Sequence, residues 1–187
     1  MSHSNVIVIG GGTAGMAVVQ ELHAADQSVS VTLIKNEEIT INKGALPYGI
    51  DPQKSAGKFV LPNKLVAYLG AKLVVDSAKR VDPANSTVYT AAGNALTYDH
   101  LVFATCAHPA IPPIPGVDAP QVISLRSKYD LFALRESAQQ SQKVVVIGSD
   151  YVGLEVAAML YASGAQASII EPGMALLSGA LPAILLA

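Results

Sequence analysis

The chain has little sulfur, little charge and no long apolar run, and each shortage closes off a class of protein. One cysteine in 187 residues, Cys106, leaves no partner for an intrachain disulfide and fits a reducing compartment. Twelve Lys and Arg against 14 Asp and Glu give a net charge of −2, so the footprint of a nucleic-acid binder is missing. At 51% hydrophobic and 14% charged residues, disorder is not indicated either. No uninterrupted apolar stretch reaches the ~20 residues that span a bilayer. The N-terminus has no basic segment leading into an apolar one, so no signal peptide is expected. Among the four histidines, His3, His23, His100 and His108, no two are spaced for a metal, so no metal site is expected. The expectation is a soluble, cytoplasmic protein without a membrane span or a nucleic-acid partner.

What is present is glycine in a telling place. Val6 to Ile9 is a β-branched run that enters Gly10-Gly11-Gly12-Thr13-Ala14-Gly15, and an amphipathic stretch follows at once. Gly10, Gly12 and Gly15 supply G-x-G-x-x-G: one glycine for the turn, one for close approach of a pyrophosphate, one for packing helix on strand. The helix N-terminus offers free N–H groups and partial positive charge to phosphates. Ala14, Ala17, Val18, Leu22 and Ala25 recur at helical spacing and predict the buried face. Val29 to Ile34 is the next strand and completes a β-α-β unit.

The pattern returns near residue 144. Lys143 to Ile147 leads through Gly148-Ser149-Asp150-Tyr151-Val152-Gly153 into a second helix, with Val152, Val156, Met159 and Leu160 on one face. Gly164 stops that helix and Ala167 to Ile170 forms the following strand. Glu171 stands 23 positions after Gly148, near where a carboxylate accepts ribose hydroxyls and repels a 2′-phosphate, so this unit prefers NADH to NADPH. Between the repeats, Thr87 to Thr90 and Asp99 to Thr105 read as strands, with a turn at Gly93 and Asn94. His108 to Gly116 is a stiff proline-rich connector. The fold class expected is α/β, Rossmann-like, with two β-α-β dinucleotide-binding units of which the second is incomplete. The first domain is placed at 1–115 and the second at 116–187. Two dinucleotide folds in one chain point to hydride transfer between two nucleotides.

With these pieces in order, the chain resembles the pyridine nucleotide–disulfide oxidoreductases, in the branch of coenzyme A disulfide reductases and NADH oxidases or peroxidases. Asn42 to Tyr48, Tyr98 to Thr105 and Pro112 to Gly116 carry the likeness beyond the glycine motifs. The resemblance implies FAD in the first fold and NADH, as co-substrate, in the second. Gly10, Gly12, Thr13, Ala14 and Gly15 would hold the FAD pyrophosphate, with Lys35 at its ribose position and Ala104 and Thr105 beside the phosphates. The backbone near Ala78 would meet adenine, and Lys43 to Tyr48 would lie near the isoalloxazine. Gly148, Tyr151, Val152, Gly153 and Glu171 would belong to NADH, with Glu155 near the nicotinamide.

Four departures from the family pattern matter. Gly44 stands where the redox cysteine is expected, and glycine forms no thiolate or mixed disulfide. Cys106 is no obvious substitute for it, since it falls where relatives have the glycine of an Ala-Thr-Gly turn and reads as a buried, inert thiol. Lys35, 25 positions after Gly10, cannot accept from ribose hydroxyls. Asp150 fills the middle glycine of the second motif, where a carboxylate obstructs and repels a pyrophosphate. Finally, relatives continue past the point where this sequence stops, which reads as a fragment or a degenerate reading frame. Two functions stay open: an FAD-dependent NAD(P)H oxidoreductase, or part of one, passing electrons to a small-molecule acceptor, with a homodimer as candidate assembly; and a non-catalytic module holding FAD, ADP or AMP in the first fold. No catalytic acid or base is assigned, and Tyr48 is the flavin-side donor that can be named.

Overall fold

A computed structural model describes residues 4–51, 53–54, 56–140, 143–173 and 175–177. By its contacts the chain divides into two compact units: residues 1–42 with 60–107, and residues 43–59 with 108–187.

The first unit opens with strand β1 (Asn5–Ile9), helix α1 (Thr13–Ala25) and strand β2 (Ser30–Lys35). A short pair, β3 (Thr40–Ile41) and β4 (Val60–Leu61), precedes α2 (Asn63–Tyr68) and β5 (Lys72–Val75). Then come β6 (Ala78–Asp82), β7 (Thr87–Thr90) and β8 (Ala95–Thr97), an antiparallel meander, and β9 (His100–Phe103). The main sheet runs β5-β2-β1-β9, all parallel, so β1 has a neighbour on both sides. A central parallel strand is buried on both faces, which is why β1 is an unbroken β-branched run rather than an alternating one. One face packs α1 and α2, with Val6, Val8, Val19 and Leu33 in the core. The other face, Ile7, Ile9 and Ile34, is covered by Val88, Val81 and Leu96 of the meander.

Helix α1 turns a different side inward from the one its alanine spacing predicts. Its buried residues are Gly15, Met16 and Val19, with Leu22 half-buried, while Ala14, Ala17 and Ala25 are exposed. Gly15 dictates this: its bare Cα must face the β1 turn, and that fixes the rotation of the whole helix.

The second unit holds α3 (Lys128–Gln140), β10 (Lys143–Ile147), α4 (Tyr151–Ala162) and β11 (Gln166–Ile170). β10 and β11 pair in parallel and α4 crosses between them, with Val156, Ala157 and Leu160 buried. Val152, expected on that inner face, is exposed. The proline-rich connector has no regular structure, as its missing N–H groups require. Segment 43–59 packs here through two short 3-10 turns, Lys43–Ala45 and Pro47–Ile50, and a third at Ala56–Phe59. Arg135 of α3 holds it, donating to the carbonyls of Gly49, Asp51 (3.0 Å) and Lys54 (2.7 Å). Gly49 packs against the buried Leu131, whose Cδ2 would lie 2.7 Å from a Cβ built there. Among the described residues, no helix is long and apolar enough to cross a membrane.

Candidate functional site

The first glycine turn sits at the carboxyl ends of β1 and β9, the end of an open parallel sheet where ligands bind. Gly10 takes φ +117°, and a Cβ on it would lie 2.1 Å from the Ala104 carbonyl oxygen. Both neighbours are fixed by the sheet: Gly10 N–H donates to Ile34 O (2.8 Å) and Ala104 N–H to Ile9 O (2.8 Å). A Cβ on Gly15 would lie 1.8 Å from the Gly10 carbonyl oxygen. These two glycines are therefore structural. Gly12 is different, since a Cβ there would meet nothing within 4 Å. It is the N-cap of α1, no side chain caps the helix, and the first turn carries no acid. The Thr13 hydroxyl lies 3.5 Å from Asn42 Oδ1 as its donor, and Thr13, Ala14 and Thr105 are exposed around the opening. Uncapped first-turn N–H groups beside an open glycine are suited to an anion. Ala78, at the start of β6, packs its methyl group on the Ile7–Ile34 core.

Lys35 does not reach into this opening. It is buried, and its ammonium donates to Asn63 Oδ1 (2.5 Å), Thr40 Oγ1 (3.1 Å) and the Glu38 carbonyl (3.2 Å). Three acceptors use all three protons. Its methylenes lie against Gly11, where a Cβ would be 2.6 Å from Lys35 Cδ. Burial pushes the Lys35 ammonium below its ordinary range, with Glu37 and Glu38 pulling it back up. The expected ribose position is thus a strap between β2 and α2. Nothing local in the sequence announces Asn63, 28 residues away.

The second turn repeats the first with different side chains. Ile9 pairs with Ile34 and Ile147 with Ile170, so Lys35 and Glu171 occupy the same place in their units. Gly148 has φ +103°, and a Cβ on Gly153 would lie 2.2 Å from the Gly148 carbonyl oxygen, as Gly15 does with Gly10. Asp150, however, caps α4 and accepts the Gly153 N–H (2.8 Å). Glu171 accepts from the Ser149 hydroxyl (2.6 Å), the Ser149 N–H (2.9 Å) and the Gly173 N–H (2.8 Å). The Ser149 hydroxyl, then the Gly173 N–H, hold the Glu171 carboxyl below its ordinary range. Two carboxylates already take the donors that a pyrophosphate would use. Tyr151 and Val152 are exposed at the start of α4. Ser149, buried in the turn, is a participant that spacing alone did not single out.

Within the second unit, the Tyr48 hydroxyl donates to Glu155 Oε1 at 2.8 Å across 107 residues of sequence. That bond, then the charge of Glu155, raises the Tyr48 phenol above its ordinary range. Lys43 and Gly44 lie in the first 3-10 turn of this unit. Cys106 is exposed rather than buried, with φ +63°, the left-handed region that glycine adopts freely. Among the described residues, no cluster of three or more His, Cys, Asp or Glu is placed to hold a metal.

A family model described as pyridine nucleotide-disulphide oxidoreductase matches residues 4–185. The chain is 28% identical over 187 residues to the NADH-dependent phenylglyoxylate dehydrogenase subunit epsilon of Aromatoleum evansii, covering 96% of this chain and 43% of that protein. It is 29% identical over 175 residues to an NADH oxidase of Enterococcus faecalis, covering 89% and 39%. A ferredoxin reductase for the CYP199A2 system of Rhodopseudomonas palustris superposes with TM-score 0.90 at 25% identity, covering 98% of this chain and 46% of that one. The chain spans less than half the length of these relatives.

Proposed function

The chain belongs to the pyridine nucleotide-disulphide oxidoreductase family, and from that premise we propose that it is part of an FAD-dependent NADH oxidoreductase whose first unit holds the flavin nucleotide. Members of that family, and the NADH oxidase relatives, use FAD and NADH. The observation that carries the reading is Gly12, open to 4 Å and followed by an uncapped helix. Gly10 and Gly15 shape the turn, and Gly12, Thr13 and Ala14 present the N–H groups to the pyrophosphate. Ala104 and Thr105 border it, and the backbone at Ala78 faces the adenine. Lys35 stiffens the ribose side without bonding to the sugar. A flavin held there supplies a two-electron acceptor between nicotinamide and a small acceptor, and the protein contributes binding and orientation. No thiol takes part at position 44, because that residue is glycine. A single cysteine supports a cytoplasmic setting.

The test is binding. The purified chain is titrated with FAD by calorimetry and by its visible flavin band, beside Gly12→Asp. That variant recreates in the first turn what Asp150 does in the second. A loss of ~2 kcal/mol or more, about 30-fold in affinity, is expected from blocked approach and like charge. Unchanged affinity refutes the site.

A second reading has its own observation. With Asp150 and Glu171 filling the donors of the second turn, the chain would bind FAD, ADP or AMP in the first unit only and turn nothing over. A colourless protein stabilised by ADP supports this reading. A yellow one that NADH bleaches supports the oxidoreductase.

A further inference from the structure

The two glycine turns are backed by side chains of opposite charge. Aligned at Gly10 and Gly148, the turns set Gly11 against Ser149, and the strand pairings set Lys35 against Glu171. In the second unit the Glu171 carboxylate accepts the Ser149 N–H (2.9 Å) and the Ser149 hydroxyl (2.6 Å). In the first unit the stem of Lys35 lies on Gly11. A Cβ built there would be 2.6 Å from Lys35 Cδ, 3.0 Å from its Cβ and 3.3 Å from its Cγ. The ammonium nitrogen is only two bonds beyond that Cδ.

Lys35 is 6% exposed, and its three protons go to uncharged oxygens: Asn63 Oδ1, Thr40 Oγ1 and the Glu38 carbonyl. Burying an ammonium among neutral partners opposes folding, and an apolar stem would fill the space against Gly11 without that cost. Glu37 and Glu38, on the loop after β2, are the charges whose field reaches it, and burial outweighs them to hold the ammonium below its ordinary range. On the other packed elements, β5 sets Val75 opposite Lys35, and the following Asp76 turns its carboxylate to the Ser77 and Ala92 N–H groups. Helix α2 offers the Asn63 amide, with Lys64 exposed beside it. The cation is therefore bonded by neutral groups alone, with the glycine turn inside the reach of its field.

We propose that Lys35 is a buried counter-charge of the first turn, a positioning residue that favours a nucleoside polyphosphate there through its field and its packing on Gly11, without bonding to the ligand. Glu171 in the same place, together with Asp150, gives the second turn the opposite sign. The charge at the end of the second strand of each unit thus decides which turn accepts a polyanion. The inference rests on the nucleotide reading of the first turn given above, and adds how that turn selects its ligand: by phosphate charge, not by bonds from residue 35 to the ribose. Two phosphate charges ~8 Å from one cation, at the dielectric of water, correspond to about fivefold in affinity, and a lower local dielectric raises that figure.

The probe is ADP, titrated by calorimetry at low ionic strength into the full-length chain, Lys35→Met and Lys35→Arg. Methionine keeps an unbranched stem against Gly11 and drops the charge, whereas arginine keeps the charge. ADP affinity is expected to fall about fivefold or more in Lys35→Met and to be largely retained in Lys35→Arg. The parent gives a second readout that a merely structural strap would not move. By linkage, a ligand bound fivefold more tightly by the charged form raises the pH at which the ammonium titrates by ~0.7. NMR titration of the Lys35 Cε, with and without saturating ADP, measures that rise, and it stands whether or not Lys35→Met folds. ADP affinity of the parent falls correspondingly as pH rises through the same range. Equal affinity in the parent and Lys35→Met overturns the inference and leaves the nucleotide reading intact, as does a Lys35 titration that ADP does not move. No ADP binding to the parent overturns both.

Discussion

Replacing Asp150 by glycine should convert the second turn into a working nucleotide site. In the native chain the Asp150 carboxylate accepts the Gly153 N–H at 2.8 Å and so both fills a donor and places a negative charge at the pyrophosphate position. Two unit charges ~6 Å apart in a water-like dielectric repel by ~0.7 kcal/mol, and a pyrophosphate carries two, giving ~1.4 kcal/mol from charge alone. That is a tenfold gain in NADH affinity on removal of the side chain, and the freed Gly153 N–H adds to it. The variant should stay folded, since exchanging an acidic N-cap for glycine costs a few tenths of a kcal/mol. Asp150→Asn separates the two effects: it keeps a capping oxygen but loses the charge, so its gain should be smaller than that of glycine. NADPH should lag NADH in each variant, from the repulsion that a carboxylate at the ribose position, here Glu171, exerts on a 2′-phosphate. Calorimetric titration of both nucleotides against the parent and both variants measures this. No gain for NADH in Asp150→Gly, or a gain for NADPH alone, refutes the argument and places the obstruction elsewhere in the unit.

The other expectations follow from the same geometry. Gly15→Ala drives a methyl group to 1.8 Å from the Gly10 carbonyl, so it should cost at least ~2 kcal/mol in denaturant unfolding by overpacking, whereas stability equal to the parent would show that the turn yields. Turnover of a coenzyme A or glutathione disulfide with NADH should be absent for want of a thiol at Gly44, and a rate above ~1 per second would contradict it. Glu171 titrates below its ordinary value because of its bonds to Ser149 and Gly173. Its contribution to the second turn is therefore complete above the unfolded carboxylate range and is lost as pH falls from there through the lowered folded value. NMR titration of its carboxyl, with Ser149 and Gly173 amide exchange accelerating in the same window, measures this, and exchange indifferent to pH in that window refutes it.

The sequence by itself determined the two glycine turns, their strands and their helices, because these depend on local constraints. Gly15 is required by the Gly10 carbonyl five residues before it, Gly10 takes a left-handed φ that glycine adopts freely, and unbroken β-branched runs such as Val6 to Ile9 belong to strands buried on both faces. It also determined the chemistry that is missing, since a glycine at 44 has no sulfur in any fold. Only the tertiary structure decided where long-range partners fall. The side of α1 that is buried follows from Gly15 against β1, not from the alanine spacing. Lys35 read as a ribose-side residue until Thr40 and Asn63 were brought to its ammonium, and Cys106 read as buried until its turn placed it at the surface. Segment 43–59 joins the second unit because Arg135, more than 80 residues on, gathers its carbonyls. Hydrogen bonds and contacts of that span leave no periodic trace in a sequence, so the packing had to be seen before the lysine, the cysteine and the arginine could be given their places.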